Sequence, residues 1–405
     1  MSSTDPVGEI STEPAEVASP EKGIGLCLSG GGFRAMLFHL GAIWRLQELR
    51  LLDSTASAPW AVDHGPLIRV SSVSGGSITA GLLALRWDKC LTNHADVQAR
   101  MSAFVQQIVA PIREMSGRNI AGTNFEGALN VIKDVLLPGS VNEHVTRAYA
   151  KFLYGSATLA DMTESPRFVI NASNLQSGAL WRFTRRYIRD WRVGEIKDTS
   201  LVSLAQAVSA SSAFPPPLSP AVLKFKESDY TPQSGGSGTY NLQRRPFTTR
   251  VVLSDGGVYD NLGLETAWKN CGTVLVSDAG KPFAAEESPG INWVSQGARV
   301  IGVIQAQVRA LRVRDLVDSY TRKVRRGAYW GVGSRIASYP IPTPLPVDPA
   351  RSAKLALVTT DLAEKSEETQ ERLINWGYAI CDSALRSWVN PTLPAPPSFP
   401  YPRGV

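Results

Sequence analysis

The sequence is poor in histidine and cysteine, with four of each in 405 residues. It also has no apolar run approaching the roughly 18 residues needed to cross a bilayer. Cys27, Cys90, Cys271 and Cys381 are scattered, form no C-x-x-C pair and have no histidine cluster beside them. That spacing argues against a zinc site and against a disulfide framework. The N-terminus carries Ser, Thr, Asp and Glu where a signal peptide would carry basic and then apolar residues, so the expectation is a cytoplasmic protein. Self-similarity at periods of about 20 to 50 residues is also missing, which excludes solenoids and propellers.

What is present is a globular composition: 43% hydrophobic and 19% charged residues, enough to bury a large core. The net charge of +6 is mild for this length and would suit an acidic partner such as a phosphate-rich lipid. Arginine clusters at Arg182, Arg185, Arg186, Arg189 and Arg192, and again from Arg309 to Arg326, could serve that partner. No nucleic-acid-binding motif accompanies them, so no nucleic acid is expected, and solvated helix faces look the same.

Residues 1–22 hold few large apolar groups and read as a disordered tail. A catalytic domain follows over residues 23–390, with a helical insertion near 95–165 and a flexible Gly- and Ser-rich loop near 228–246. A proline-rich tail closes the chain at 391–405. Within the domain, apolar runs ending at Ser29 and Val73 each lead through glycines into a helical pattern, two strand-turn-helix units in succession. Further strands are expected at Arg167–Asn171, Thr249–Ser254, Thr273–Ser277 and Arg299–Ile304, and a helix over Arg309–Tyr329. The pattern predicts an α/β protein of three layers, α/β/α, around a mainly parallel central sheet.

Three strand-end motifs carry chemistry. In Ser72-Val73-Ser74-Gly75-Gly76 the serine Ser74 sits between strand and helix with small residues around it, as a sharp nucleophile elbow requires. Ser72 stands where such an elbow usually has glycine. In Ser29-Gly30-Gly31-Gly32-Phe33-Arg34 several backbone N–H groups can converge on an anion, either an oxyanion or, through the G-x-G-x-x-A spacing, a pyrophosphate. Asp53 has the spacing of a ribose-binding acid but follows an apparent helix end, with no strand between. In Val251–Gly257 an apolar strand delivers Asp255 into a Gly-Gly turn at the sheet's C-terminal edge, where it could accept a serine proton directly. A second aspartate, Asp278, has a similar place in Ser277-Asp278-Ala279-Gly280. His39, His64, His94 and His144 all precede Asp255, so a Ser-Asp-His triad in hydrolase chain order has no candidate.

Together the Gly30-Gly31-Gly32-Phe33-Arg34 loop, the Ser74 elbow and Asp255-Gly256-Gly257 resemble the patatin-like phospholipases, over roughly residues 23–335. The resemblance implies a patatin-like fold and a phospholipase A-type lipid acyl hydrolase, acting through a Ser74–Asp255 dyad with no cofactor and no metal. It implies an oxyanion hole drawn from Gly30, Gly31, Gly32, Phe33 and Arg34, with Arg34 supporting the loop. The small-residue segment Ala207–Phe214 with Pro215, Pro216 and Pro217 would support the pocket. The expected partners are a phospholipid or other acyl-ester lipid and the inner face of the membrane, with a regulatory ligand or oligomerisation left open. Alternatives are a signal-activated, membrane-degrading defence effector of the same chemistry, and a non-catalytic lipid- or nucleotide-binding protein using the glycine loop.

Overall fold

Apolar, β-branched runs buried on both faces make the first strands. β1 (Glu21–Leu28) is buried from Gly23 onward and β2 (Leu67–Val73) almost throughout, as central parallel strands require. The structure, a computed structural model, describes residues 19–52, 61–92, 96–120, 140–215, 218–232 and 241–405. Eight more strands complete one sheet: β3 (Arg167–Asn174), β4 (Leu180–Phe183), β5 (Ile188–Asp190), β6 (Gly194–Ile196), β7 (Ala221–Lys224), β8 (Arg250–Asp255), β9 (Cys271–Asp278) and β10 (Arg326–Gly331). The order is β10-β9-β1-β2-β3-β4-β5-β6, with β8 pairing β3 and β7 pairing β8.

The five strands from β10 to β3 are parallel, and the rest joins antiparallel. One consequence of register positions the site. Along one side of β3, Val73 of β2 lies opposite Asn171, and the next residue, Ala172, lies opposite Asp255 of β8. β2 and β8 therefore run toward each other and their C-terminal ends abut.

Helix α1 (Gly32–Glu48) follows β1, and α2 (Gly75–Trp87) follows β2. α3 is Leu204–Ser211, α4 is Trp293–Thr321 and α5 is Glu367–Trp388. Alternate residues of β1 and β9 feed opposite cores: Leu26, Leu28 and Leu275 join one, while Cys27, Val274 and Val276 meet Leu264, Ala267 and Leu316 in the other. These are the layers of the α/β/α architecture. α5 lies so close on α1 that a Cβ at Gly41 would sit 1.8 Å from the Ile374 carbonyl oxygen, and one at Gly377 1.9 Å from that of Phe38. The buried Arg45–Asp382 ion pair, at 2.8 Å, joins the same two helices.

Several expectations change. Arg299–Ile304 is not a strand but part of α4, whose Asn292 cap accepts from the Ser295 N–H. Val300, Val303 and Ile304 are exposed there, so their β-branched preference finds no buried, paired surface to reward it. α4 ends at Thr321, and Tyr329, read as helical, lies in edge strand β10. The chain start read as a tail contributes Glu21 and Lys22 to β1, while residues 1–18 and Asp53 lie outside the described residues. Helices do occupy the described parts of 95–165, and residues 233–240 of the Gly- and Ser-rich loop lie outside the described residues. The proline-rich C-terminus is docked on α5: Asn375 donates to the carbonyls of Tyr401 and Gly404 at 2.9 Å each, and Val405 is buried.

Candidate active site

Ser74 leaves β2 at φ 52°, ψ −122° and is the N-cap of α2. A non-glycine residue there is strained by about 1–3 kcal/mol, and the turn holds only because its neighbours are fixed. Two glycines allow the close approach. A Cβ at Gly75 would lie 2.1 Å from the Gly32 carbonyl oxygen, and one at Gly76 2.4 Å from that of Leu28. Ser72, in the usual glycine place, fits without collision. Its buried hydroxyl donates to the Val169 carbonyl at 3.3 Å and accepts from the Ser77 hydroxyl at 3.0 Å.

Asp255 comes from the opposite direction, on antiparallel β8, and faces Ser74 across the abutted strand ends. Its Oδ1 accepts the Gly257 N–H at 2.6 Å. Burial pushes the carboxyl up to about 7, against the opposing pull of the hydrogen bonds from the Gly257 N–H and the Ser74 side chain. A carboxylate of that basicity, hydrogen-bonded to a serine hydroxyl, can take up its proton near neutral pH.

Asp278, the other strand-end aspartate, is committed elsewhere. Arg309 donates to its carboxylate at 2.6 Å, Tyr329 at 2.7 Å and the Gly280 N–H at 2.8 Å. His39 is buried between the Ser277 hydroxyl and the Ser29 carbonyl, and burial lowers its pKa to about 4. His64 meets the Thr273 hydroxyl at 3.2 Å and His144 lies on the helix Ser140–Tyr149, while His94 is outside the described residues.

The glycine loop packs directly on the elbow. A Cβ at Gly30 would lie 3.1 Å from Ser74 Cβ, and one at Gly75 would lie 2.8 Å from the Gly32 nitrogen. Of the five residues read as an oxyanion hole, two have spent their backbone donors: Gly30 N–H on the Asn261 carbonyl and Phe33 N–H on the Asp361 carbonyl, each at 3.0 Å. The Arg34 side chain is a brace, donating to the carbonyls of Ala279, Ala356 and Val358. Among the described residues the backbone N–H groups of Gly31, Gly32 and Arg34 have no acceptor, and those of Gly31 and Gly32, in the loop that packs on Ser74, can receive a developing oxyanion.

One contributor escapes motif reading, and a second lies in the Ala207–Phe214 segment read as pocket support. The Asn261 side chain lies within 2.6 Å of where Cβ atoms of Gly30 and Gly257 would stand, bridging the two loops. The end of α3 reaches both halves of the site: Ser211 accepts the Ser74 N–H, and the Ala213 carbonyl accepts the Asp255 N–H. The small-residue run around them is the only sequence signal. The arginine clusters are largely consumed: Arg185 and Arg186 pair with Glu164, and Arg312 with Glu265.

Against this geometry, the profile of the family described as patatin-like phospholipase matches residues 26–268, well over half the chain and inclusive of all three motifs. Comparison with curated protein sequences gives no match. Among solved structures, human GIVD cytosolic phospholipase A2 is similar at 12% identity and TM-score 0.45, over 89% of this chain and 58% of that one. VipD from Legionella pneumophila is similar at 18% identity and TM-score 0.34, over 90% of this chain and 66% of that one. The chain thus spans less than two thirds of either protein.

Proposed function

The chain belongs to the patatin-like phospholipase family, and from that premise we propose that it is a lipid acyl hydrolase of phospholipase A type with Ser74 as nucleophile and Asp255 as base. The observation that carries the reading is geometric: the buried Asp255 carboxyl, which burial raises to about 7, stands at the end of β8 where it abuts the strained Ser74 elbow at the end of β2. In the first step Asp255 accepts the Ser74 proton as Oγ bonds to the acyl carbon. The carbonyl π bond breaks, and the oxyanion takes the Gly31 and Gly32 N–H groups. Collapse expels the lipid alcohol, which takes the proton back from Asp255. Water, deprotonated by the same carboxylate, then attacks the Ser74 ester, and Ser74 Oγ leaves with that proton returned from Asp255 as the fatty acid is released. Fatty-acid release from vesicles of phosphatidylglycerol and phosphatidylcholine tests the reading: release that stops with Ser74→Ala supports it. Release by the variant at the wild-type rate contradicts it.

We also propose that the protein works at a membrane surface, on its cytoplasmic face. Among the described residues no helix is long and apolar enough to cross a membrane. Support comes from α4, which carries Trp293, Val300, Ile304 and Leu311 at spacings that align on one helix face, 84, 55, 55 and 50% exposed. Gln305 of that helix donates to the Gly257 carbonyl at 3.3 Å, two residues beyond Asp255, so the stripe borders the site. In a Ser74→Ala background, adding Trp293→Ser and Ile304→Ser is expected to weaken vesicle binding by about 100-fold or more by sedimentation, given about 1.5–3 kcal/mol for each of the two large apolar side chains when buried. Equal binding by both proteins would remove the stripe from the account.

A further inference from the structure

The Ser74 backbone has to be held at a dihedral pair that serine resists, and one hydroxyl does much of the holding. Ser211, at the last residue of α3, is fully buried. Its Oγ accepts the Ser74 N–H at 2.9 Å, donates to the Asn171 carbonyl at 2.6 Å and meets the Ser77 hydroxyl at 2.9 Å. Proton counting gives these contacts a direction. Ser211 has one hydroxyl hydrogen, and at 2.6 Å from a carbonyl oxygen, which only accepts, that hydrogen is committed to Asn171. One lone pair of Ser211 Oγ then accepts the Ser74 N–H, and the other faces the Ser77 hydroxyl, whose single hydrogen is shared between Ser211 Oγ and Ser72 Oγ.

The same residue reaches the other half of the site. The Ser211 carbonyl accepts the Gly256 N–H at 3.2 Å, and two residues on, the Ala213 carbonyl accepts the Asp255 N–H at 2.9 Å and the Ser254 hydroxyl at 3.1 Å. Asn171, which receives the Ser211 proton, stands opposite Val73 in the sheet, and Ala172 stands opposite Asp255. The end of α3 is therefore laid across the point where β2 and β8 abut, with its polar groups bonded to both.

We propose that Ser211 is a positioning residue that fixes the Ser74 elbow relative to Asp255, an inference that rests on the dyad reading above. Ser211 does not touch substrate; it withdraws the Ser74 N–H from other partners and keeps the nucleophile at the base. Ser211→Ala removes the acceptor without adding volume, and a displaced nucleophile of this kind is expected to lower turnover by about 10- to 100-fold.

The test measures fluorophosphonate labelling per reactive site, and kcat and KM on a short soluble ester, for wild type, Ser211→Ala and Ser211→Thr, with Ser74→Ala alongside. The expected result is a fall in per-site labelling rate and in kcat at little-changed KM for Ser211→Ala, with Ser211→Thr recovering most of it. A purely structural role would lower the number of reactive sites and leave the rate of each unchanged, and that outcome overturns the proposal. So does a Ser211→Ala rate within about twofold of wild type, or a Ser211→Thr as slow as Ser211→Ala. Labelling or turnover that persists in Ser74→Ala is a different failure: it removes the dyad reading and this inference with it.

Discussion

Ser74→Ala is expected to reduce hydrolysis of soluble esters and of lipid vesicles by at least about 10⁴-fold while leaving the far-UV circular dichroism unchanged. The size follows from the mechanism, because without Oγ there is no acyl-enzyme and the remaining donors can only bind substrate. The fold should tolerate the change: Ser74 takes its backbone conformation from the Ser211 hydroxyl and the glycine loop, not from its own side chain. A folded Ser74→Ala protein with activity within tenfold of wild type would remove the nucleophile assignment.

Asp255→Asn is expected to produce two effects of opposite sign. Activity should fall by about 10³-fold or more, since an amide cannot accept the serine proton. Wild-type kcat/KM should rise about tenfold per pH unit below neutrality and level off above pH 7, as the carboxyl ionises. Stability should move the other way. Burial raises the Asp255 carboxyl from an ordinary value near 4 to about 7, so below pH 4 it is neutral in both folded and unfolded chains and costs nothing. As pH rises from 4 to 7 the unfolded chain ionises first, and stability is lost, reaching on the order of 4 kcal/mol above pH 7. The asparagine variant escapes that loss, so its Tm should exceed the wild type's by a few degrees at pH 8, with the gap closing toward pH 4. An equal or lower Tm at pH 8 would contradict the buried, destabilised carboxyl.

The parts of this site that sequence made legible are those where chemistry and chain reversal coincide. Ser74, Asp255 and the glycine loop lie at strand ends, and the glycines are demanded by close approaches that leave no room for Cβ. The meeting of Ser74 with Asp255 was legible only through the family resemblance and not from pattern, because it depends on β8 entering antiparallel along β3 beyond the end of β2. Nothing in a short β-branched run announces its direction. Bracing by backbone carbonyls leaves no signature either. Ala279, Ala356, Val358 and Asp361 hold Arg34 and Phe33 through main-chain oxygens that any residue could supply. For that reason the reading spread the oxyanion hole over five residues, of which Gly30 and Phe33 have their backbone donors bonded within the fold. Arg299–Ile304 misled in the reverse sense: its β-branched residues face solvent on α4, where composition reflects a surface and not a strand.

The central claim is that Ser74 is an activated nucleophile, and a fluorophosphonate probe reads that most directly, because it forms a stable bond only with a serine whose proton is being withdrawn. The account predicts one phosphonylated peptide by mass spectrometry, carrying the adduct on Ser74, with labelling that grows as pH rises through about 7 and is absent from Ser74→Ala. Modification of another serine, or equal labelling of the Ser74→Ala protein, would contradict it.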